Sequence, residues 1–108
     1  DRRTYQMAPA NGREALREAL ADEEEGADIL MVKPALTCLD ILARLRGKTL
    51  LPLATYLVSG ERMMLRSAAR AGLLDLRRGI MEAHLACRRA GADLIITYDA
   101  LDLADWIE

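Results

Sequence analysis

The stretch Ile29-Leu30-Met31-Val32-Lys33-Pro34 decides the fold: an apolar run that ends in a lysine set against a proline. Apolar residues without polar alternation predict a strand buried on both faces, as in parallel sheets covered on both sides. Proline disfavours the helical region for the residue before it, so Lys33 is expected extended at the strand's exit, where parallel α/β architectures keep their active sites. An amine there invites carbonyl chemistry. From position alone, a lysine that ends a strand is more often a solvated charge or a phosphate anchor than a catalytic group. Composition adds weight to the catalytic alternative. Of 15 basic residues only Lys33 and Lys48 are lysine, and the arginines cannot form an imine under physiological conditions.

Upstream of this strand, Ala8 to Gly12 is turn chemistry, with Asn11 placed to cap a helix over residues 13–25. Its apolar residues Ala15, Leu16, Ala19 and Leu20 recur at helical spacing between charges, the pattern of a surface helix, and Gly26 stops it. Downstream, Cys38, Ile41, Leu42 and Leu45 form one stripe of a helix over 38–46. Residues 50–56, with Pro52 near the start, predict a second buried strand that stops at Val58-Ser59-Gly60. A helix over 61–71 follows, then one over 76–90 capped by Asp75, the strand Leu94-Ile95-Ile96-Thr97, and a short helix over 101–107. Gly91-Ala92-Asp93 echoes Gly26-Ala27-Asp28, each triplet standing between a helix and an apolar strand. Every crossing between strands is long enough for a right-handed parallel connection. Such an order suits a small open sheet or part of a (β/α) barrel. Lys33, Ser59 and Tyr98 all fall at carboxyl ends, which favours the barrel piece and puts an amine and two hydroxyls on one rim.

At 108 residues, 52% hydrophobic and 30% charged, the chain has the size and composition of one globular domain with a core. A net charge of −2 with both signs interspersed gives no basic face for nucleic acid, and no apolar run has the length of a membrane span. Cys38 and Cys87 lack metal-ligand spacing and lie in helical segments, so free thiols of a reducing, cytoplasmic compartment are expected. The chain opens at Asp1 without an initiator methionine and without a signal peptide, so it is expected to be a fragment of something longer.

Several ordered motifs resemble one family, porphobilinogen synthase, also called delta-aminolevulinic acid dehydratase. They are Asp1-Arg2-Arg3-Thr4-Tyr5-Gln6-Met7, Glu25-Gly26-Ala27-Asp28 through Met31-Val32-Lys33-Pro34, Leu39-Asp40-Ile41, Leu53-Ala54-Thr55-Tyr56 with Val58-Ser59-Gly60-Glu61, and Arg89 through Tyr98. The resemblance runs nearly end to end and implies the carboxyl-terminal third of a (β/α)8 TIM barrel, with about three parallel strands and their flanking helices. It implies a homo-oligomeric enzyme, octameric in the family, that condenses two molecules of 5-aminolevulinate into porphobilinogen in heme biosynthesis. Matched residue by residue, Lys33 is the Schiff-base lysine, Ser59 and Tyr98 are hydroxyl donors to the same substrate's carboxylate, and Arg2 holds the other substrate's carboxylate with Gln6 in the same lid region. Glu18 falls where many bacterial members place a carboxylate for an allosteric magnesium ion, and a plain solvated carboxylate is as good a reading of it. Whether catalysis needs zinc is not legible, because the segment that binds zinc in zinc-using members lies outside this chain. The family's second active-site lysine is missing too.

Some neighbours depart from the family pattern: Ala8, Ala35, Thr37-Cys38, Leu57, and above all Arg62 and Asp99, which stand where aromatic residues are usual. If they lie near Lys33, Arg62 and Asp99 would shift its pKa in opposite directions. His84, with no second histidine in the chain, is expected as a packed side chain rather than a ligand, and Met63 and Met64 as core or subunit contacts. Two readings therefore compete: an enzyme segment that is inactive alone, or a degenerate, non-catalytic relative that only packs against other chains. A different lysine-imine barrel enzyme, such as an aldolase, fits the contexts of Ser59 and Tyr98 less well.

Overall fold

In the computed structural model, which describes residues 11–107, Asn11 opens the first helix by accepting a hydrogen bond from the Glu14 amide at 3.0 Å. This helix, α1 (Gly12–Glu24), leads to strand β1 (Leu30–Val32), a single 3-10 turn (Leu36–Cys38) and helix α2 (Leu39–Arg46). Strand β2 (Leu53–Tyr56), helices α3 (Ser59–Arg70) and α4 (Leu76–Ala90), strand β3 (Leu94–Ile96) and helix α5 (Ala100–Trp106) complete the order. Asp75 caps α4 through the Arg78 amide at 2.9 Å, so both caps expected from the sequence form.

The three strands pair in parallel in the order β1-β2-β3, with Val32 beside Thr55 and Thr55 beside Ile95. Residues in register share a face, which sorts the sheet into two sides. Leu30, Val32, Leu53, Thr55 and Ile95 face the helices, and all but half-buried Ile95 are buried. Against them pack Leu42 and Leu45 of α2 and Ile80, Ala83 and Cys87 of α4, each fully or nearly excluded from solvent. Each such leucine or isoleucine contributes roughly 1.5–3 kcal/mol of burial. On the other side lie Met31, Leu94 and Ile96, each about half exposed, with Ala54 between them.

The expectation of a buried strand thus holds for β2 and fails for β1, and β3 too is open on one face. A three-stranded sheet with helices on one side leaves the flanking strands' other face open. Two boundaries also move. The second strand begins at Leu53 rather than Leu50, because Pro52 has no amide to donate and Leu50 is fully exposed. The third helix begins at Ser59, so this serine occupies the first turn of α3 rather than a loop.

At the amino ends of the strands, Arg46 at the close of α2 gathers four acceptors. It donates to the carbonyls of Thr49 (2.8 Å), Leu51 (3.0 Å) and Gly91 (3.4 Å) and to the Asp93 carboxylate (2.8 Å). Asp93 also accepts from the Leu53 amide at 2.9 Å, and that bond, with the Arg46 charge, holds its carboxyl below the usual range. Gly91 has φ +120°, and a Cβ there would lie 2.7 Å from the Arg46 stem, so the glycine of the Gly91-Ala92-Asp93 triplet is required twice over.

Candidate functional site

Parallel pairing brings the carboxyl ends of all three strands to one rim, and the expected side chains follow them there. Lys33 comes directly after β1, Ser59 opens α3 just beyond β2, and Tyr98 lies two residues past β3. All three are exposed, Tyr98 by 58%. The ladder continues past the strands, with the Ala35 amide donating to the Tyr56 carbonyl at 3.1 Å and the Leu57 amide to the Ile96 carbonyl at 3.0 Å. The Lys33–Pro34 peptide is cis.

The loops that carry these residues are joined by two buried carboxylates. Glu61, 3% exposed, accepts from the Val58 amide (3.0 Å) and the Ala35 amide (3.2 Å) through Oε1, and from the Leu36 amide (2.7 Å) through Oε2. It therefore ties the segment after Lys33 to the turn before Ser59. A carboxylate in the first turn of a helix is also favoured by the helix dipole. Among the described residues no cation pairs with Glu61. Its charge and, more strongly, burial push the Cys87 thiol up.

Asp99, 4% exposed, makes the second link. It pairs with Arg66, and Arg62 Nε donates to it at 3.4 Å, so the turn after Tyr98 is bound to the helix that begins at Ser59. Asp99 and Asp102 beside Arg66 hold that guanidinium above its usual value, the Asp99 hydrogen bond most of all. Arg62 and Asp99, which sequence comparison presents as two separate departures near Lys33, are partners of each other. The acid and the base that the family resemblance marks as separate departures therefore form one ion pair.

Tyr56, at the carboxyl end of β2, donates its hydroxyl proton to the Tyr98 oxygen at 2.9 Å, their rings 6.2 Å apart. This bond, first, and desolvation, second, hold the Tyr56 phenol above its ordinary value of 10.0. Tyr56, Glu61 and Arg66 are the rim residues that the sequence reading did not single out. Position at a strand exit was a signal for Tyr56. Spacing was a signal for Glu61, three residues after the helix cap, where a glutamate reaches back to the cap amide.

Other candidates sort differently. Lys48 precedes β2 and so lies at the opposite end of the sheet from Lys33. His84 is buried with Nδ1 2.7 Å from the Ile80 carbonyl, a packed histidine as expected. Met63 and Met64 are exposed, which removes the core reading of both. Cys38 and Cys87 are free thiols, the second fully buried. Glu18 is exposed on α1, in a groove shared with Glu14, Arg17 and Glu24. Among the described residues no three His, Cys, Asp or Glu side chains gather as metal ligands, and no helix is long and apolar enough to cross a membrane. Arg2 and Gln6 lie outside the described residues.

Comparison with known proteins sets this rim in context. The family model described as delta-aminolevulinic acid dehydratase matches residues 1–106. The chloroplastic delta-aminolevulinic acid dehydratase of the moss Physcomitrium patens is 56% identical over 99% of this chain and 25% of its own length. The delta-aminolevulinic acid dehydratase of Escherichia coli is 54% identical over 97% of this chain and 32% of its own. A crystal structure of the Toxoplasma gondii enzyme, in complex with the reaction product porphobilinogen, superposes with a TM-score of 0.92 at 52% identity, covering 95% of this chain and 29% of that one. The chain thus spans about a quarter to a third of the length of the relatives it matches. Its three parallel strands and their helices correspond to part of that enzyme's TIM barrel.

Proposed function

This chain belongs to the delta-aminolevulinic acid dehydratase family, and on that premise we propose that it is the carboxyl-terminal portion of a porphobilinogen-forming active site. One observation carries this reading: Lys33, Ser59 and Tyr98 stand at the carboxyl ends of three adjacent parallel strands, in a segment that superposes on a relative crystallised with porphobilinogen. In this reading the Lys33 amine attacks the ketone of 5-aminolevulinate, the carbonyl oxygen leaves as water, and the imine turns that carbon into an electron sink. The neighbouring C–H is acidified, and an enamine able to form a carbon–carbon bond results. Ser59 and Tyr98 hold the same molecule's carboxylate, and Arg2 with Gln6 receives the second molecule. Orientation of two identical substrates is then the main source of rate.

A lysine near ~10.4 is protonated at neutral pH, so attack needs a lowered pKa. The family meets this with a second lysine; Lys48 is at the wrong end of the sheet to serve. The chain by itself is therefore proposed to turn over no substrate, and to act within a homo-oligomeric barrel, octameric by family resemblance. The half-exposed Met31, Leu94 and Ile96 suit a barrel interior closed by further strands. The free thiols support a cytoplasmic setting. The exposed Glu18 carboxylate suits a magnesium ion that keeps most of its water, since such ions need only one or two protein carboxylates.

The test is intact-mass measurement of this segment within the full-length barrel protein, which would supply the second lysine, after incubation with 5-aminolevulinate and borohydride, beside Lys33→Arg. Borohydride delivers hydride to the imine carbon and leaves a stable secondary amine. A single adduct, absent from the variant, is expected. A folded sample without adduct would overturn the reading in favour of a non-catalytic relative. Porphobilinogen released by the chain alone would overturn the claim that it is inactive by itself.

A further inference from the structure

One substrate molecule must reach two loops at once. In the reading above, its ketone carbon bonds to Lys33 after β1 and its carboxylate, two methylenes away, meets Ser59 at the start of α3. The spacing of those loops therefore decides whether the ketone arrives at the amine. Glu61 bonds both of them, to the Ala35 and Leu36 amides on one side and the Val58 amide on the other.

We propose that Glu61 is a positioning residue whose buried carboxylate sets the reach between the Lys33 amine and the Ser59 hydroxyl, making imine formation selective for aminoketones that carry a carboxylate. The inference rests on the proposed function and deepens it. Three features support it. The carboxylate is 3% exposed, so water does not compete for its lone pairs. It is acceptor-only and meets three donors, which no other side chain of its size does. One oxygen, Oε1, bridges the loops by accepting from both Ala35 and Val58, and Oε2 adds a second bond to the Lys33 loop at Leu36. Glutamine in its place keeps the shape but turns one arm into a donor facing an amide N–H. One loop must then move away.

The experiment compares two probes in the borohydride assay: 5-aminolevulinate, and aminoacetone, which has the same aminoketone and no carboxylate. The wild-type segment, within the full-length barrel protein, is expected to trap 5-aminolevulinate faster. In Glu61→Gln the ratio of the two rates falls about 10-fold or more, because a misplacement of about 1 Å costs up to a hundredfold, the 5-aminolevulinate rate falling more steeply than the aminoacetone rate. In a Ser59→Ala background, Glu61→Gln changes the ratio no further. A ratio preserved in Glu61→Gln, or both rates falling together, overturns the proposal and leaves Glu61 a structural residue. A full-length wild-type protein that forms no adduct with either probe fails the underlying reading instead, and the role with it. Should Glu61→Gln not fold, Glu61→Asp, which keeps the charge and shortens the reach, must lower the ratio in the same direction.

Discussion

Tyr56 ends β2 and Tyr98 lies two residues past the adjacent β3, their hydroxyls 2.9 Å apart with Tyr56 donating and Tyr98 accepting. Accepting from Tyr56 leaves the Tyr98 hydroxyl proton free to donate to the proposed substrate carboxylate, and the incoming bond polarises it further. Tyr56→Phe should raise the half-saturating concentration of 5-aminolevulinate in the borohydride assay about fivefold, the equivalent of one hydrogen bond, with a smaller effect on the maximal rate. The raised pKa means that the folded chain favours protonated Tyr56. The contribution of this pair to stability is complete below pH 10.0 and is lost as pH rises through the folded value. An alkaline absorbance titration should show one late tyrosine that returns to the normal range in Tyr98→Phe.

Asp99 should be costly to neutralise. Asp99→Asn removes the buried anion shared by Arg66 and Arg62, leaving Arg66 only the more distant Asp102, and a loss of about 1–2 kcal/mol in urea denaturation is expected. If Arg62 and Asp99 are a compensated exchange for two aromatic residues, Arg62→Tyr with Asp99→Tyr should be better tolerated than the sum of the single changes. A coupling of about 1 kcal/mol or more is expected from the double-mutant cycle, and strict additivity would count against the pairing.

The depressed pKa of Asp93 predicts an acid limit. Its ionised form is favoured in the folded chain, so its stabilisation is present above the ordinary carboxylate value and is lost as pH falls through the folded value. Asp93→Asn should flatten the decline in stability below about pH 4 and leave the alkaline side unchanged, as measured by denaturation midpoints across pH.

Thiol labelling should separate the two cysteines. Cys38 is half-buried and Cys87 is fully buried with its thiol pushed up, so native alkylation at mildly alkaline pH should modify Cys38 alone. Cys87 should react only on unfolding, and its labelling at the same rate as Cys38 would contradict the packing of α4 on the sheet.

Local chemistry was legible in the sequence where it acts locally. Asn11 and Asp75 were readable as caps because a cap needs only the three residues that follow it. Lys33, Ser59 and Tyr98 were readable at strand exits because each follows an apolar run. What misled was distance along the chain. Two of the three donors to Glu61 lie 25 and 26 residues upstream, and Asp99 is 33 and 37 residues from its arginines, so neither long-range partnership leaves a periodic trace. Arg62 and Asp99 therefore looked like opposed influences on Lys33 when they are bound to each other. The apolar run of β1 concealed that Met31 points to the open side of the sheet, since burial there depends on neighbours beyond these strands. Arg2 and Gln6 fall outside the described residues and stand as family expectations.

Arg46 holds β2 and β3 together at their amino ends without touching the rim where Lys33, Ser59 and Tyr98 gather. The half of the sheet that keeps its shape and the half that meets a ligand therefore answer to different residues. Loop sequences at the carboxyl rim can change while the Arg46 contacts keep the strands aligned. For protein engineering, this makes the Arg46 end the foundation to leave alone and the opposite end the place to install new specificity.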